Sequence, residues 1–213
     1  KEYRRQSQMF IRDRLDLFQQ EFKITKTRSD SNYEIASITK QAWHSVRLSR
    51  HDSRPSSMDF MARMLDNFVE IHGDRYFQDD PSIVCGLGQL GGQTIVLVGH
   101  ERGRPNPSIT QKNGRPSPEG FRKAQRALRL ADKFKIPVIT FIDTPGADLS
   151  IEAENRGLGN AIASTLSLMS TLKVPTISVL IGEGGSASAL TLGISDKVLM
   201  LENAIYSACL LYT

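Results

Sequence analysis

The stretch from Ile136 to Ala189 constrains this chain most, because it reads as strand, glycine turn and helix, twice in succession. The apolar runs Val138-Ile139-Thr140-Phe141-Ile142 and Thr176-Ile177-Ser178-Val179-Leu180-Ile181 suit strands buried on both faces of a parallel sheet. Each runs into a glycine-bearing turn, Asp143-Thr144-Pro145-Gly146-Ala147 or Gly182-Glu183-Gly184-Gly185-Ser186-Ala187-Ser188. Helices that open at the carboxyl ends of parallel strands gather backbone N–H groups at one surface spot, where an anion binds.

At 213 residues the chain is long enough for one domain with a substantial core. Its 39% hydrophobic and 23% charged content is that of a globular protein. No apolar run is long enough to span a bilayer, and no signal-peptide pattern opens the chain. Cys85 and Cys209 suit a reducing compartment and form no metal-spaced pair.

The two ends read differently. Residues 4–14 match the translation of a common transposon-based sequencing adapter, with departures only at Ser7 and Phe10. Cys209-Leu210-Leu211-Tyr212-Thr213 matches the reverse complement of the same element. Residues 1–14 and 209–213 are therefore expected to be adapter-encoded, and the natural protein to be longer. Residues 1–14 carry five basic and two acidic side chains, so the formal charge of +4 falls to +1 without them. Global basicity then says nothing about nucleic acid, and no DNA partner is expected.

Residues 15–53 form a polar arm with scattered apolar residues, Phe18, Phe22, Ile35, Ile38 and Trp43, expected to be helical or irregular. Ser57 is placed to cap a helix from Met58 to about His72, its stripe made by Met61, Met64, Leu65, Phe68 and Ile71, with Gly73 ending it. Residues 83–90 and 93–100 flank Gly91-Gly92, a hairpin signature with a two-residue turn. Gly86-Leu87-Gly88-Gln89-Leu90-Gly91 also spells G-x-G-x-x-G, but a strand follows it instead of a helix, which excludes dinucleotide binding there.

Arg102, Arg104, Lys112 and Arg115 lie in a loop that either meets phosphates or is simply solvated. Ser117-Pro118-Glu119 starts a helix with Phe121, Ala124, Leu128 and Ala131 inward; Arg122, Lys123, Arg126, Arg129 and Lys133 form a face read as solvated. A helical segment over 151–172, a short helix over 187–193 and a strand over 197–201 complete the pattern.

The chemistry offered by the turns is that of the backbone. Glycine lets the main chain approach a ligand closely, and consecutive N–H groups at a helix start stabilise a developing oxyanion. Asp143-Thr144-Pro145-Gly146 fits D-x-x-G, but no phosphate-binding G-x-x-x-x-G-K-[ST] loop exists to make a GTPase. Gly184-Gly185-Ser186 resembles half of a nucleophile elbow, but Ser188 stands where G-x-S-x-G requires glycine. His44, His51, His72 and His100 show no evident catalytic partner and read as satisfied surface or core histidines, and no ligand spacing suits zinc. A site remains that stabilises an anion and takes its base from a cofactor or substrate.

Several further motifs accompany the turns: Ala153-Glu154-Asn155-Arg156-Gly157, His72-Gly73-Asp74-Arg75, Gly99-His100, Pro118 to Ala124, Val179 to Ser186 and Met200 to Ala204. Together, over about Trp43 to Ser207, they resemble the carboxyltransferase α subunit of bacterial and plastid acetyl-CoA carboxylase. The resemblance implies an α/β, crotonase-like fold of repeated ββα units over residues 54–208. It implies transfer of a carboxyl group from carboxybiotin, borne on a biotin carboxyl carrier protein, to acetyl-CoA, giving malonyl-CoA for fatty acid synthesis. The cofactor itself supplies the base in that scheme. Implied partners are a zinc-bearing β subunit, in an assembly of two α and two β subunits, and biotin carboxylase, with the metal on β and none in this chain. The implied compartment is the cytoplasm or the plastid stroma.

Carried onto this chain, the resemblance makes Gly184, Gly185, Ala187 and Ser188 the backbone oxyanion donors. Thr144, Pro145, Gly146, Ala147, Ser186 and Ala189 become the biotin-side lining. The family pattern has Tyr-Pro-Gly where this chain has Asp148-Leu149-Ser150, glycines at Ala187 and Ser188, and Gln at Leu158. The other readings are a non-catalytic paralogue that acts as an assembly partner, and an acyl-CoA hydrolase of the same superfold.

Overall fold

The computed structural model describes residues 42–103 and 112–208; most of the arm over 15–53 and both adapter-like ends lie outside them. Residues 42–49 form helix α1. A second helix, α2 (Ser57–Met64), is capped by Ser56, not Ser57: the Ser56 hydroxyl accepts from Asp59 N–H, and the Asp59 carboxylate accepts from Ser56 N–H. This reciprocal pair satisfies two of the donors a helix start leaves open.

Among the described residues seven strands form one mixed sheet: β1 (Asp66–Glu70), β2 (Ile83–Leu90), β3 (Gln93–His100), β4 (Val138–Thr144), β5 (Thr176–Gly185), β6 (Lys197–Met200) and β7 (Ile205–Ser207). Strands β1 to β6 are adjacent in chain order, and β7 pairs with the far end of β5. Strands β1–β2–β3 are antiparallel, and every pairing from β3 onward is parallel. The expected hairpin closes at Leu90↔Gln93, with Gly91 and Gly92 at φ 57° and 83°. Positive φ at both central residues makes the turn that matches strand twist, and glycine takes it without a Cβ penalty.

Helices α3 (Pro118–Phe134), α4 (Ile151–Asn155), α5 (Leu158–Thr171) and α6 (Ser186–Gly193) follow the parallel strands. Leu128, Ala131, Val138, Ile142, Leu180, Ala189 and Leu192 share the main core. Met61, Leu65, Val84, Ile95, Leu97, Phe141 and Ile181 form a second core that includes α2. Alternation along the strands produces the two layers: Val96 and Val98 serve the first, Ile95 and Leu97 the second. Phe121, Ala147, Ala153, Leu158 and Ala161 form a third cluster, which fixes the first glycine turn against α3 and α5. Truncating the fully buried Phe121 to Ala would cost about 3–5 kcal/mol.

Three further expectations are corrected. The helix from Met58 to His72 stops at Met64, because Leu65 turns extended (φ −110°, ψ 136°) and 66–70 joins the sheet as β1. A strand partner and the space left by two β2 glycines outweigh the helical stripe. A Cβ on Gly88 would lie 2.9 Å from Leu65 Cδ1, and one on Gly86 2.8 Å from Phe68 Cε2. The segment 151–172 breaks at Gly157, which takes φ 80° between α4 and α5.

Of the α3 face read as solvated, Arg129 and Lys133 are exposed, but Arg122, Lys123 and Arg126 organise the loop after β1. Lys123 is fully buried, its Nζ 2.6 Å from Asp79 and 2.7 Å from the Asp80 carbonyl. Arg122 holds Asp74 and Glu119 at 2.8 and 3.1 Å, and Arg126 donates to the carbonyls of His72 and Gly73.

Candidate functional site

Strands β3, β4 and β5 end side by side, and both glycine segments sit at their carboxyl ends. The first folds on itself. Gly146 N–H donates to Thr144 Oγ1 at 3.0 Å, and that hydroxyl donates to the Gly146 carbonyl at 2.8 Å. Gly146 takes φ 143°, which favours glycine, and Ala147 points into the third core cluster.

The second segment is not a turn over its whole length. Strand β5 stays extended through Gly185, with Gly184 opposite Thr144 of β4 and both Gly184 and Gly185 in register with β7. These glycines serve proximity instead of positive φ. A Cβ on Gly182 would strike the Asp143 carboxylate, and one on Gly185 would lie 2.5 Å from the Pro145 carbonyl oxygen. The change of direction falls on Ser186 alone, at φ 61°. Ala187 and Ser188 are not among the residues with positive φ, so their side chains bring no left-handed strain. Helix α6 starts there with Gly185 at its N-cap and no side-chain cap. Ala187 is exposed, Ser186 half-buried, and Ser188 and Ala189 buried.

An ionic clamp locks the two segments together. Arg102, just past β3, places Nε 2.9 Å from Asp143 Oδ1 and Nη2 2.6 Å from Glu183 Oε2. Asp143 Oδ1 accepts from Glu183 N–H at 2.9 Å. Arg50 grips both Glu183 oxygens, at 2.8 and 3.1 Å. Arg54 donates to the carbonyls of Ile181 and Glu202. Beside the clamp lies a cavity of about 380 Å³, walled by Arg50, Arg54, Arg102, Arg115, Pro145 and Glu183.

Burial pushes the Glu183 carboxyl up, but hydrogen bonds from Arg50 and Arg102 outweigh it and hold the group below its ordinary range. Burial dominates at Asp143, whose pKa is raised despite Arg102. His100 is fully buried at the end of β3. Desolvation lowers its pKa to about 3, so its ring is neutral at physiological pH. It is a core histidine, as the sequence reading favours, and its Nε2 is 3.4 Å from Ser188 Oγ. His72 likewise has Asp79 at 3.2 Å.

The structure thus brings Thr144, Pro145, Gly146, Gly184, Gly185, Ser186, Ala187 and Ser188 to one place, with Ala147 and Ala189 behind it in the core. Sequence reasoning missed Arg50, Arg102, Asp143, Glu183 and His100 as parts of it. The signal for the clamp was two acids inside glycine motifs, each too crowded to stand unpaired.

The mixed sheet, with an uncapped helix start over two converging glycine segments, has the crotonase-like fold. Solved structures share that fold. One is transcarboxylase 12S with methylmalonyl-coenzyme A and methylmalonic acid bound, with a TM-score of 0.60 at 22% identity over 71% of this chain and 29% of that one. Another is the geranyl-CoA carboxylase β subunit of P. aeruginosa, with a TM-score of 0.59 at 20% identity over 71% and 28%.

The sequence profile of the acetyl co-enzyme A carboxylase carboxyltransferase-like family matches residues 2–210, and the chain belongs to that family. It is 51% identical over 163 residues to the acetyl-coenzyme A carboxylase carboxyl transferase subunit alpha of Campylobacter hominis, covering 76% of this chain and 52% of the relative. It is 45% identical to the same subunit of Treponema denticola, covering 84% and 59%. A relative in Saccharopolyspora erythraea named subunits beta/alpha is 49% identical, covering 76% and 29%. The chain therefore spans little more than half the length of these α-subunit relatives. No helix among the described residues is long and apolar enough to cross a membrane.

Proposed function

We propose that this chain contributes the biotin side of an acetyl-CoA carboxylase carboxyltransferase, forming malonyl-CoA together with a zinc-bearing β subunit, biotin carboxylase and a biotin carboxyl carrier protein. One observation carries the reading: α6 opens without a side-chain cap directly over the first glycine turn. Uncapped first-turn N–H groups seek an acceptor, and a helix start favours negative charge.

The N–H groups of Ala187 and Ser188 are the leading donors to the ureido oxygen of biotin. Gly184 and Gly185, engaged in the β7 ladder, contribute an approach free of Cβ atoms. Thr144, Pro145, Gly146, Ala147, Ser186 and Ala189 shape the remaining wall. When bound, carboxybiotin supplies the carboxyl group and the base. The chain's own ionisable groups agree with that division: Glu183 is held by two guanidiniums, Asp143 by Arg102, and His100 is buried and neutral. Removing one oxyanion donor of this kind costs about 3 kcal/mol of transition-state stabilisation.

The test is reconstitution of the full chain with a cognate β subunit and a biotinylated carrier kept carboxylated by biotin carboxylase, ATP and bicarbonate. Malonyl-CoA formation dependent on all three is expected. Turnover of acyl-CoA by this chain alone, or assembly without turnover, would overturn the reading. We place the protein in the cytoplasm or the plastid stroma, which fractionation checks. The adapter reading of residues 1–14 and 209–213 stands or falls on the encoding nucleotides.

A further inference from the structure

Helix α6 is held at its two ends by different means. At its C-terminal end the hydroxyls of Thr140 and Ser178, on β4 and β5, each lie 2.6 Å from the Leu192 carbonyl. At its N-terminal end no side chain caps it, and Ser186 spends conformational energy at φ 61°. The hydroxyl of Ser188 is the side chain of that first turn that reaches another element, and it reaches His100 Nε2. His100 is itself fixed, because Ser57 Oγ donates to its carbonyl at 2.6 Å and ties it to α2. Both members of the pair are buried, at 1% and 0% exposure. That burial rules out a Ser–His nucleophile for an outside substrate and leaves a tether between β3 and α6.

The geometry points to His100 as a positioning residue that aims the Ala187 and Ser188 amides by holding the Ser188 hydroxyl. The inference rests on the carboxyltransferase reading above and specifies what keeps its donors in place. The His100 ring meets the Ser188 hydroxyl and not the donor amides, so it acts through that side chain. A neutral ring suits the role, since its hydrogen bond does not change through the working pH range.

The experiment is a double-mutant cycle in the reconstituted enzyme with His100→Phe, Ser188→Ala and the pair. His100→Phe is expected to lower kcat about tenfold with KM nearly unchanged, below the loss of a hundredfold or more that follows removal of a donor. Ser188→Ala should lower kcat by a similar factor, and the double variant by no more than either. Multiplying losses, or a change confined to KM, would overturn the inference.

Nitrogen NMR of the His100 ring gives a readout independent of turnover. On Ser188→Ala the Nε2 signal should shift while Nδ1 stays; an unmoved Nε2 signal overturns the pairing. If the wild-type assembly makes no malonyl-CoA, the carboxyltransferase reading fails on its own. The NMR result then still decides whether His100 and Ser188 are coupled.

Discussion

Strands β2 and β5 both carry glycines at close spacing, and the two sets are used differently. Gly88 in β2 makes room for Leu65, and Gly86 for Phe68 and the backbone of β1, an edge strand. Gly182 and Gly185 in β5 make room for a carboxylate and for the main chain of the neighbouring turn. An apolar side chain against an edge strand can move aside when a methyl group arrives. A main chain held between two core clusters and an ionic clamp cannot. A glycine pattern alone therefore does not reveal whether it serves packing or chemistry; its neighbour does.

The largest effect expected along this contrast comes from releasing the clamp. Arg102→Gln should destabilise by about 3 kcal/mol, since it strands Asp143 and loosens Glu183 in a buried setting. Adding Asp143→Asn should recover part of that loss, and denaturant titration of both variants measures it. Gly185→Ala comes next. Its Cβ meets the Pro145 backbone, so overpacking of about 2 kcal/mol is expected. Malonyl-CoA formation should fall on the order of a hundredfold; retained turnover would break the contrast. Gly88→Ala should cost about 1 kcal/mol and leave turnover intact, because Leu65 has an edge strand to retreat with.

The smallest effect is electrostatic. Burial raises Asp79, but hydrogen bonds from Lys123, the Gly73 N–H and His72, with the Lys123 charge, bring it down to about 2. A carboxyl depressed in the folded state adds stability above its unfolded value of about 3.9 and loses it as pH falls toward about 2. Acid titration should show that slope, and Lys123→Met should flatten it.

Much of this architecture was legible in the sequence, where local pattern and tertiary demand agree. The β2–β3 hairpin, α3 and the apolar runs of β4 and β5 all show periodicity and turn chemistry that point one way. Residues 66–70 misled because Phe68 and Ile71 continue a helical stripe, while the decisive fact is a glycine surface on a strand far along the chain. Lys123 misled for a related reason: a lysine on a charged helix face normally faces water, and only the loop around Asp79 and Asp80 makes its burial tolerable. In the site, glycine spacing located the two segments. It could not show that positive φ in the second segment falls on Ser186 alone, or that Glu183 is matched to arginines 81 and 133 residues away.

The hairpin has a consequence for how this protein assembles in time. Its eight residue pairs close across two glycines, so β2 and β3 can zip on a scale of about microseconds. Each parallel addition after it, β4 onto β3 and β5 onto β4, must first close a chain excursion containing a helix, a slower search. Strand β3 is then the template on which the parallel half grows. The clamp that seats Arg102 at its end closes only once β5 has arrived, so the site is among the last parts of the molecule to form.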